Sequence, residues 1–366
     1  MKRLSVQIIS LLLITSLILG LGLACAQQAP TTTKAPPATS ATQPPPTTSA
    51  PAVKQVLIRM TTPVPAGDDL LVKSQAEMDK FNAETNGAYK MQMFPGGQLD
   101  QFPAMLDDIR TGAVDGGVIP PAGYSGKIPE FAIIELPFIL ESAEANAYAE
   151  VGLQPIYAKL LEERANQTSL GCIFIGGLYL LSTKPIHTLE DLKGLNIGCD
   201  TPSSAALFKA LGGNAIVVDF SEDYSNLQKG VINAKTVGSQ YVEIAKLYEV
   251  AKNATVFFAL GSVYSINLNL DVYKKMPPDI QNLLKSHMTK LAADLSQYFM
   301  HLPDTLNPQL AQKGVVFYDL PKAERDRWKA LAYPGTLDAI AKAGDIGAQI
   351  KKVADDANAK YPSTAK

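Results

Sequence analysis

The chain has 366 residues, and its 33 lysines and arginines nearly balance its 35 aspartates and glutamates. This balance argues against nucleic acid as a partner, because proteins that bind nucleic acid carry a basic surface. With 3 cysteines and 3 widely spaced histidines, the sequence has no zinc-ligand pattern, so we expect no metal and no cofactor.

The first residues, "MKRLSVQIISLLLITSLILGLGLAC", predict export. Two basic residues precede an apolar run from about Leu11 to Leu23, which is shorter than the roughly 20 residues that span a membrane. The ending "LGLAC" is similar to a bacterial lipobox, although Gly22 departs from its usual leucine. We therefore expect residues 1–25 to be a lipoprotein signal peptide, with lipidation at Cys25. The alternative is cleavage at Ala24 and Ala26, which would release a soluble protein.

Residues 26–53 consist almost entirely of Pro, Thr, Ala, Ser and Gln. Such a segment has no apolar face to bury, so we expect a disordered tether between the anchor and the folded domain. The alternatives are a simple secreted linker and a glycosylated stalk.

From about Lys54 onward, strand and helix patterns alternate, which predicts an α/β fold with largely parallel sheets. This part is long enough for two domains with sizeable cores. We expect its remaining cysteines, Cys172 and Cys199, to be buried free thiols. Strands are predicted in "QVLIRMTT", "YKMQMFPGGQL", "AVDGGVIPP", "LGCIFIGGLYLLST", "LNIGCD" and "NAIVVDF", and helices in "DDLLVKSQAEMDKFNAETNG", "QFPAMLDDIRTG", "PSSAALFKALG", "DYSNLQKG" and the stretch after Pro277.

The sequence contains no catalytic motif: no G-x-S-x-G, no phosphate loop, no H-E-x-x-H and no glycine-rich dinucleotide turn. No acid and base stand at a useful spacing, so we do not expect an enzyme. Two exported α/β lobes favour the capture of a small molecule instead, because ligands lodge at strand ends and between lobes.

Five segments resemble the solute-binding proteins of tripartite ATP-independent periplasmic (TRAP) transporters, the C4-dicarboxylate type, and they occur in that family's order. The resemblance runs from about Val56 to Tyr333. The segments are "MFPGGQLDQFPAMLDDIRTGAVDGG", "IPEFAIIELPFIL", "STKPIHTLEDLKGLNI", "DFSEDYSNLQKGVINA" and "KLYEV".

The resemblance implies a two-lobe periplasmic-binding-protein fold, with a ligand cleft between discontinuous α/β domains. Lobe I is expected at 54–175 plus 263–302, and lobe II at 176–262 plus 303–366. It further implies hinge closure on a small organic solute and delivery to TRAP membrane permease subunits, in a periplasmic or extracytoplasmic setting. A ligand-sensing protein that signals to a membrane receptor is the alternative.

The family's carboxylate-gripping arginine is implied at the end of the strand after "DLKGL", where this chain has Gly198. A second basic position of the family corresponds to Leu178. The stretch "INAKTVG" places Lys235 and Val237 at further family sites, and Thr62 ends a strand on the expected cleft side. The scaffold is thus kept while the arginine is replaced.

Three interpretations of this replacement stay open. An acid site could be rebuilt around Lys235 or Arg59, since a lysine still attracts a carboxylate as a point charge. A pocket for a neutral or apolar solute is the second interpretation, and a cationic group near Asp200 and Asp219 is the third. The neutral pocket would be lined by Leu178, Tyr179, Gly198, Phe220 and Val237.

Overall fold

The strands of the folded part form two sheets with helices packed around them. The computed structural model describes residues 55–102, 104–218 and 220–363. For Phe220 it describes the backbone only. The predicted signal peptide, Cys25 and the tether therefore lie outside the described residues. No helix in the described ranges is both long enough and apolar enough to cross a membrane.

The elements follow one another along the chain as a nearly regular alternation. The strands are β1 (Val56–Thr61), β2 (Tyr89–Phe94), β3 (Gly116–Ile119), β4 (Gln167–Gly177), β5 (Tyr179–Ser182), β6 (Asn196–Cys199), β7 (Asn214–Val217), β8 (Ala234–Val237), β9 (Asn253–Val256), β10 (Gly261–Asn269) and β11 (Val316–Asp319). The helices are α1 (Asp69–Glu84), α2 (Met105–Thr111), α3 (Ala143–Ala165), α4 (Pro202–Ala210), α5 (Asp223–Lys229), α6 (Ser239–Ile244), α7 (Leu270–Lys274), α8 (Pro278–Gln312), α9 (Lys322–Lys342) and α10 (Gly344–Lys360).

Within the described residues, sheet A has the strand order β2-β1-β3-β10-β4 and sheet B the order β11-β9-β5-β8-β6-β7. In sheet A, β10 is antiparallel to both of its neighbours, whereas β1 runs parallel to β2 and β3. In sheet B, β5 is antiparallel to both of its neighbours, whereas the other described pairs are parallel. The predicted largely parallel sheets are therefore present, each with one reversed strand.

The two reversed strands are β10 in sheet A and β5 in sheet B. Each is the first strand after the chain crosses from the other sheet. β4 of sheet A continues into β5 through Leu178, and β9 of sheet B continues into β10 through residues 257–260. The two passages lie side by side, because the Leu178 amide donates to the Leu260 carbonyl at 3.1 Å. A strand that enters from the carboxyl edge of its parallel neighbours must run against them. The facing edges of the two sheets therefore carry the carboxyl ends of the parallel strands.

Local sequence explains where the helices near these edges begin and end. The Asp68 carboxylate caps α1 by accepting from the Leu70 amide at 2.8 Å. Thr201 caps α4 through the Ser204 amide, and Pro202 occupies the first turn, where no amide donor is needed. Gly112 ends α2 with φ of 79°, a left-handed conformation that glycine adopts without strain.

Helices α8, α9 and α10 connect the two sheets further. The first half of α8 packs on β4, and its last residues reach the core beneath sheet B, where Leu310 is buried. Trp328 of α9 is fully buried against Phe257, with ring centroids 5.4 Å apart, and so packs this helix onto the core beside sheet B. Helix α10 returns to pack on α3, beside sheet A.

Two cysteines and two glutamates are buried in the described structure. Cys172 and Cys199 are free and buried in the described structure, as the sequence predicted. Glu135 accepts from the Val263 amide at 2.8 Å, and Glu150 accepts from the Ser296 hydroxyl. Burial raises the pKa of Glu135 to about 8 and that of Glu150 well above its ordinary range.

We expect Glu135→Gln to flatten the dependence of stability on pH. The ordinary pKa is 4.5 and the folded pKa about 8, so folding takes up a proton between these values. The contribution of Glu135 to stability is therefore highest below pH 4.5 and falls as the pH rises toward 8, by at most about 1.4 kcal/mol per pH unit. Glutamine keeps the oxygen that accepts from Val263 but cannot ionise. Urea unfolding at pH 5 and pH 8 measures the effect.

The matched control is Glu163→Gln, which changes an exposed glutamate of α3. The control should leave the pH dependence unchanged. Equal slopes for wild type and Glu135→Gln would show that Glu135 is ionised in the folded protein.

Candidate functional site

The predicted site residues gather at the facing edges of the two sheets. Thr62 follows the carboxyl end of β1, and Leu178 lies in the passage from sheet A to sheet B. Tyr179 is paired with Val237 across β5 and β8, and Gly198 is paired with Lys235 across β6 and β8. The structure thus places Tyr179, Gly198, Lys235 and Val237 on neighbouring strands of sheet B.

Gly198 leaves room for the stem of Lys235. A Cβ at residue 198 would lie 3.0 Å from Lys235 Cδ, 2.8 Å from Ile232 Cδ1 and 3.1 Å from Val218 Cγ2. These separations are shorter than ordinary van der Waals contacts. A side chain at position 198 would therefore require Lys235, Ile232 and Val218 to shift.

The Lys235 ammonium group is fully buried and paired with carboxylates. Its Nζ forms a hydrogen-bonded ion pair with Asp200, the residue after β6, and lies 3.2 Å from Asp223 Oδ1 at the start of α5. The Asp223 side chain is fully buried, whereas that of Asp200 keeps 18% of its surface exposed. Asp200 therefore lies between the lysine and the solvent of the cleft edge.

The charge of this triad is net negative above the pKa of Asp223. Burial raises the pKa of Asp223 to about 6, even though the Lys235 charge acts to lower it. With both carboxylates ionised, one positive and two negative charges remain. The contact of Lys235 with a solute stays a prediction, and in this structure its charge is already paired with carboxylates.

The apolar candidates near sheet B belong to the cores. Leu178 packs beside the cluster that contains Trp328 and Phe257. Tyr179 and Val237 are each 3% exposed, and the Tyr179 ring meets that of Phe317 edge to face at 5.6 Å. The Tyr179 hydroxyl is buried near Ser239, and burial raises its pKa. Whether these three residues touch a solute stays a prediction.

Two further candidates give different outcomes. Phe220 opens the short 3₁₀ helix Phe220–Glu222, but its side chain lies outside the described structure, as does all of Asp219. Arg59 pairs with Asp115, with Nε 2.9 Å from Oδ2. Asp115 precedes the amino end of β3, away from the facing edges, so the proposed role of Arg59 in a rebuilt acid site is wrong.

At the end of β1, buried polar atoms accumulate on the sheet A side. The Thr61 hydroxyl donates to Asp100 Oδ1. Within the described part of the chain, Asp100 Oδ2 and Thr62 Oγ1 are buried and have no hydrogen-bond partner. Burial also raises the pKa of Asp100. A buried acceptor without a donor is costly, so these atoms mark the edge of sheet A as a candidate for contact with a solute.

Asp68, Asp100 and Tyr264 were not predicted from the sequence as site candidates. Burial raises the pKa of Tyr264, and the carboxylates of Asp68, Glu135 and Asp200 raise it further. Tyr264 belongs to sheet A and Asp200 to sheet B, so this tyrosine lies within electrostatic range of acids from both sides. The only sequence signal was the position of Asp68 before a helix, where a capping role explains it equally well.

Comparison with known proteins now places the chain in a family. Residues 67–342 match the family described as bacterial extracellular solute-binding protein, family 7. The chain belongs to this family. The resemblance to TRAP transporter solute-binding proteins is thereby confirmed, together with the solute-binding role that it implied.

Individual relatives agree with this assignment. The 2,3-diketo-L-gulonate-binding periplasmic protein of Escherichia coli is 26% identical over 57% of this chain and 64% of its own length, which is less than two thirds. The C4-dicarboxylate-binding periplasmic protein of Rhodobacter capsulatus is 25% identical over 78% of this chain and 87% of its own. These relatives are periplasmic solute-binding proteins.

A solved structure shows the same fold. The pyroglutamic acid-binding extracytoplasmic solute receptor of Bordetella pertussis superposes with a TM-score of 0.77, covering 82% of this chain and 99% of the receptor, at 19% identity. At this identity the likeness concerns the fold. The predicted two-lobe α/β class of this family 7 protein is therefore confirmed.

We expect Lys235→Met to destabilise the protein by about 3–5 kcal/mol, because it leaves buried carboxylates without their counter-charge. The loss should be smaller at pH 5 than at pH 8, because Asp223, whose pKa is about 6, takes up a proton. Urea unfolding of Lys235→Met, Asp223→Asn and the double variant forms a double-mutant cycle. The double variant should lose less stability than the sum of the single losses. Strict additivity would show that the two side chains do not interact.

Proposed function

We propose that this family 7 protein captures a small organic solute at the facing edges of its two sheets and delivers it to TRAP membrane permease subunits. The observation that carries the proposal is the double passage of the chain at Leu178 and residues 257–260, which brings the carboxyl ends of the parallel strands to face each other. Ligands of open α/β sheets bind at such ends. The family consists of binding proteins, and we propose binding without catalysis.

We propose the lobes at the boundaries that the sequence predicts: 54–175 plus 263–302, and 176–262 plus 303–366. The passages at Leu178 and residues 257–260 support the inner boundaries. The packing of α10 on α3 adds a contact between the end of the chain and lobe I, which the sequence did not predict.

Closure about the two passages provides a mechanism. A solute that contacts both lobes favours the closed state by its higher affinity for that state. The passages are short and joined by the hydrogen bond from Leu178 to Leu260, so they define where the lobes turn. A closed complex then presents a single surface for the permease.

The chemical class of the solute follows from two kinds of support. Relatives are named for 2,3-diketo-L-gulonate and C4-dicarboxylates, so organic acids are the first class to test. Lys235 is already paired with Asp200 and Asp223. The second class to test therefore consists of solutes that do not bind this lysine through a carboxylate.

We expect a bound solute to raise the unfolding midpoint of the purified protein by several degrees. At 100 times its dissociation constant, a ligand adds about 2.7 kcal/mol of stability. The protein is first refolded to remove any carried solute, and thermal unfolding is then recorded against organic acids, sugar acids and neutral solutes. X-ray scattering with and without the best solute should show a smaller radius of gyration when it is bound. Superimposable profiles would contradict closure.

We further propose that Cys25 carries a lipid that anchors the protein at the extracytoplasmic face of the membrane. Support comes only from the sequence "LGLAC" and the tether composition after it. Cells that express the protein and receive a radiolabelled fatty acid should label it, and Cys25→Ala should abolish the label while Cys172→Ala retains it. Labelling that persists in Cys25→Ala would contradict the proposal.

A further inference from the structure

One side chain of α9 holds the second passage between the sheets, residues 257–260. The Arg325 guanidinium donates to the Phe257 carbonyl through Nε and to the Phe258 carbonyl through Nη2, each at 3.0 Å. The planar fork of an arginine can serve two acceptors at once, whereas the ammonium group of a lysine is a compact point charge. Two successive peptide units of the passage are therefore fixed to α9.

The same guanidinium reaches a segment that the proposed boundaries assign to lobe I. Arg325 Nη2 donates to the Glu141 carbonyl at 3.4 Å, Nη1 lies 3.5 Å from Glu141 Oε2, and Cζ lies 5.6 Å from the centroid of the Phe138 ring. Arg325 is 3% exposed, so its charge is removed from water and depends on these partners. The side chain thus joins the second passage, α9 and residues 137–141.

Backbone hydrogen bonds complete the hold on this passage. The Phe138 amide donates to the Ala259 carbonyl at 2.9 Å, and the Leu178 amide of the first passage donates to the Leu260 carbonyl at 3.1 Å. Each carbonyl of the second passage therefore accepts a hydrogen bond, and half of these bonds come from one side chain.

Two phenylalanines held in this way have backbone angles that bulky residues rarely adopt. Phe258 has φ of 41° and Phe138 has φ of 59°, both in the left-handed region. Such angles persist where the surroundings impose them, and they cluster at ligand clamps and switch regions. Here the hydrogen bonds of the Phe258 carbonyl and of the Phe138 amide supply the constraint.

The first passage has a different composition. Gly176 and Gly177 precede Leu178, and Gly176 has φ of 68°, which glycine adopts without strain. A Cβ at residue 177 would lie 3.8 Å from Phe258 Cδ1, which is an ordinary contact. Hinges are a few residues that absorb large changes in φ and ψ. Of the two passages, the first is therefore suited to turn and the second to stay fixed.

We propose that Arg325 positions the hinge: it fixes the second passage as a pivot, and lobe closure turns the first passage at Gly176 and Gly177. The inference rests on the proposed function, since it names the residue that sets the angle through which the same lobes close. Arg325 acts through the backbone of Phe257 and Phe258 rather than through contact with the solute. Without it, the pivot loosens and the free lobes sample wider angles.

Hydrogen exchange of the solute-free protein tests the hold on the second passage. In Arg325→Met, exchange of the Phe138 and Leu178 amides should accelerate more than exchange of the β1 amides, by a factor of about five or more, because the carbonyls that they bind are freed. Mass spectrometry with fragmentation to single residues measures the rates. A smaller ratio would overturn the inference, because it would show no change or a loss of stability throughout the protein.

Two further variants separate the fork of the arginine from its charge. Arg325→Lys keeps a positive charge beside Glu141 but cannot serve both carbonyls, so its passage amides should accelerate by the same criterion. This variant decides the test if Arg325→Met does not fold, and wild-type exchange in it would overturn the inference. The matched control is Arg327→Met, which changes an exposed arginine of the same helix that pairs with Glu190 and Glu324. The control should exchange as the wild type does.

X-ray scattering of the solute-free protein connects this hold to the angle between the lobes. Arg325→Met and Arg325→Lys should each have a radius of gyration larger than that of the wild type, by more than the spread of repeated measurements. Arg327→Met should match the wild type. Faster exchange with an unchanged radius of gyration would reduce Arg325 to a local brace and would overturn the inference.

Neither measurement uses a solute, so the outcomes separate this inference from the proposed function. Unchanged exchange and scattering in the Arg325 variants, with solute binding by the wild type, would overturn the inference and leave the capture of a solute standing. A wild type that binds none of the organic acids, sugar acids and neutral solutes would count against capture. The exchange and scattering results would still decide the role of Arg325.

Discussion

The chain crosses twice between the two sheets, at Leu178 and at residues 257–260. The rest of the structure depends on these two crossings. Because β5 and β10 enter their sheets at the carboxyl edge of the parallel strands, each must run against its neighbours. The same geometry turns the carboxyl ends of β1 and β3 toward those of β6 and β8. Loops at these ends are free to vary, since the cores lie on the faces of the sheets. Solute specificity can therefore change while the fold is kept.

Gly198 and Lys235 illustrate such a change. They are register partners on adjacent strands, and the space that a side chain at 198 would need is taken by the Lys235 stem. A buried ammonium group requires carboxylates, and Asp200 and Asp223 supply them from two different elements. Gly198 thus stands beside an ion-paired network of one lysine and two carboxylates.

The sequence predicted the helices and strands whose ends are marked by capping residues or glycines, and the strands that border the site. Helix α1 between Asp68 and Gly87, and strand β6 before Thr201, have local signals that tertiary contacts do not override. Helix α3 was not assigned, because Pro155 interrupts its pattern and alanines form much of its buried face. The partners of Lys235 could not be predicted either. Asp200 is 35 positions away, and its approach depends on the register of β6 with β8.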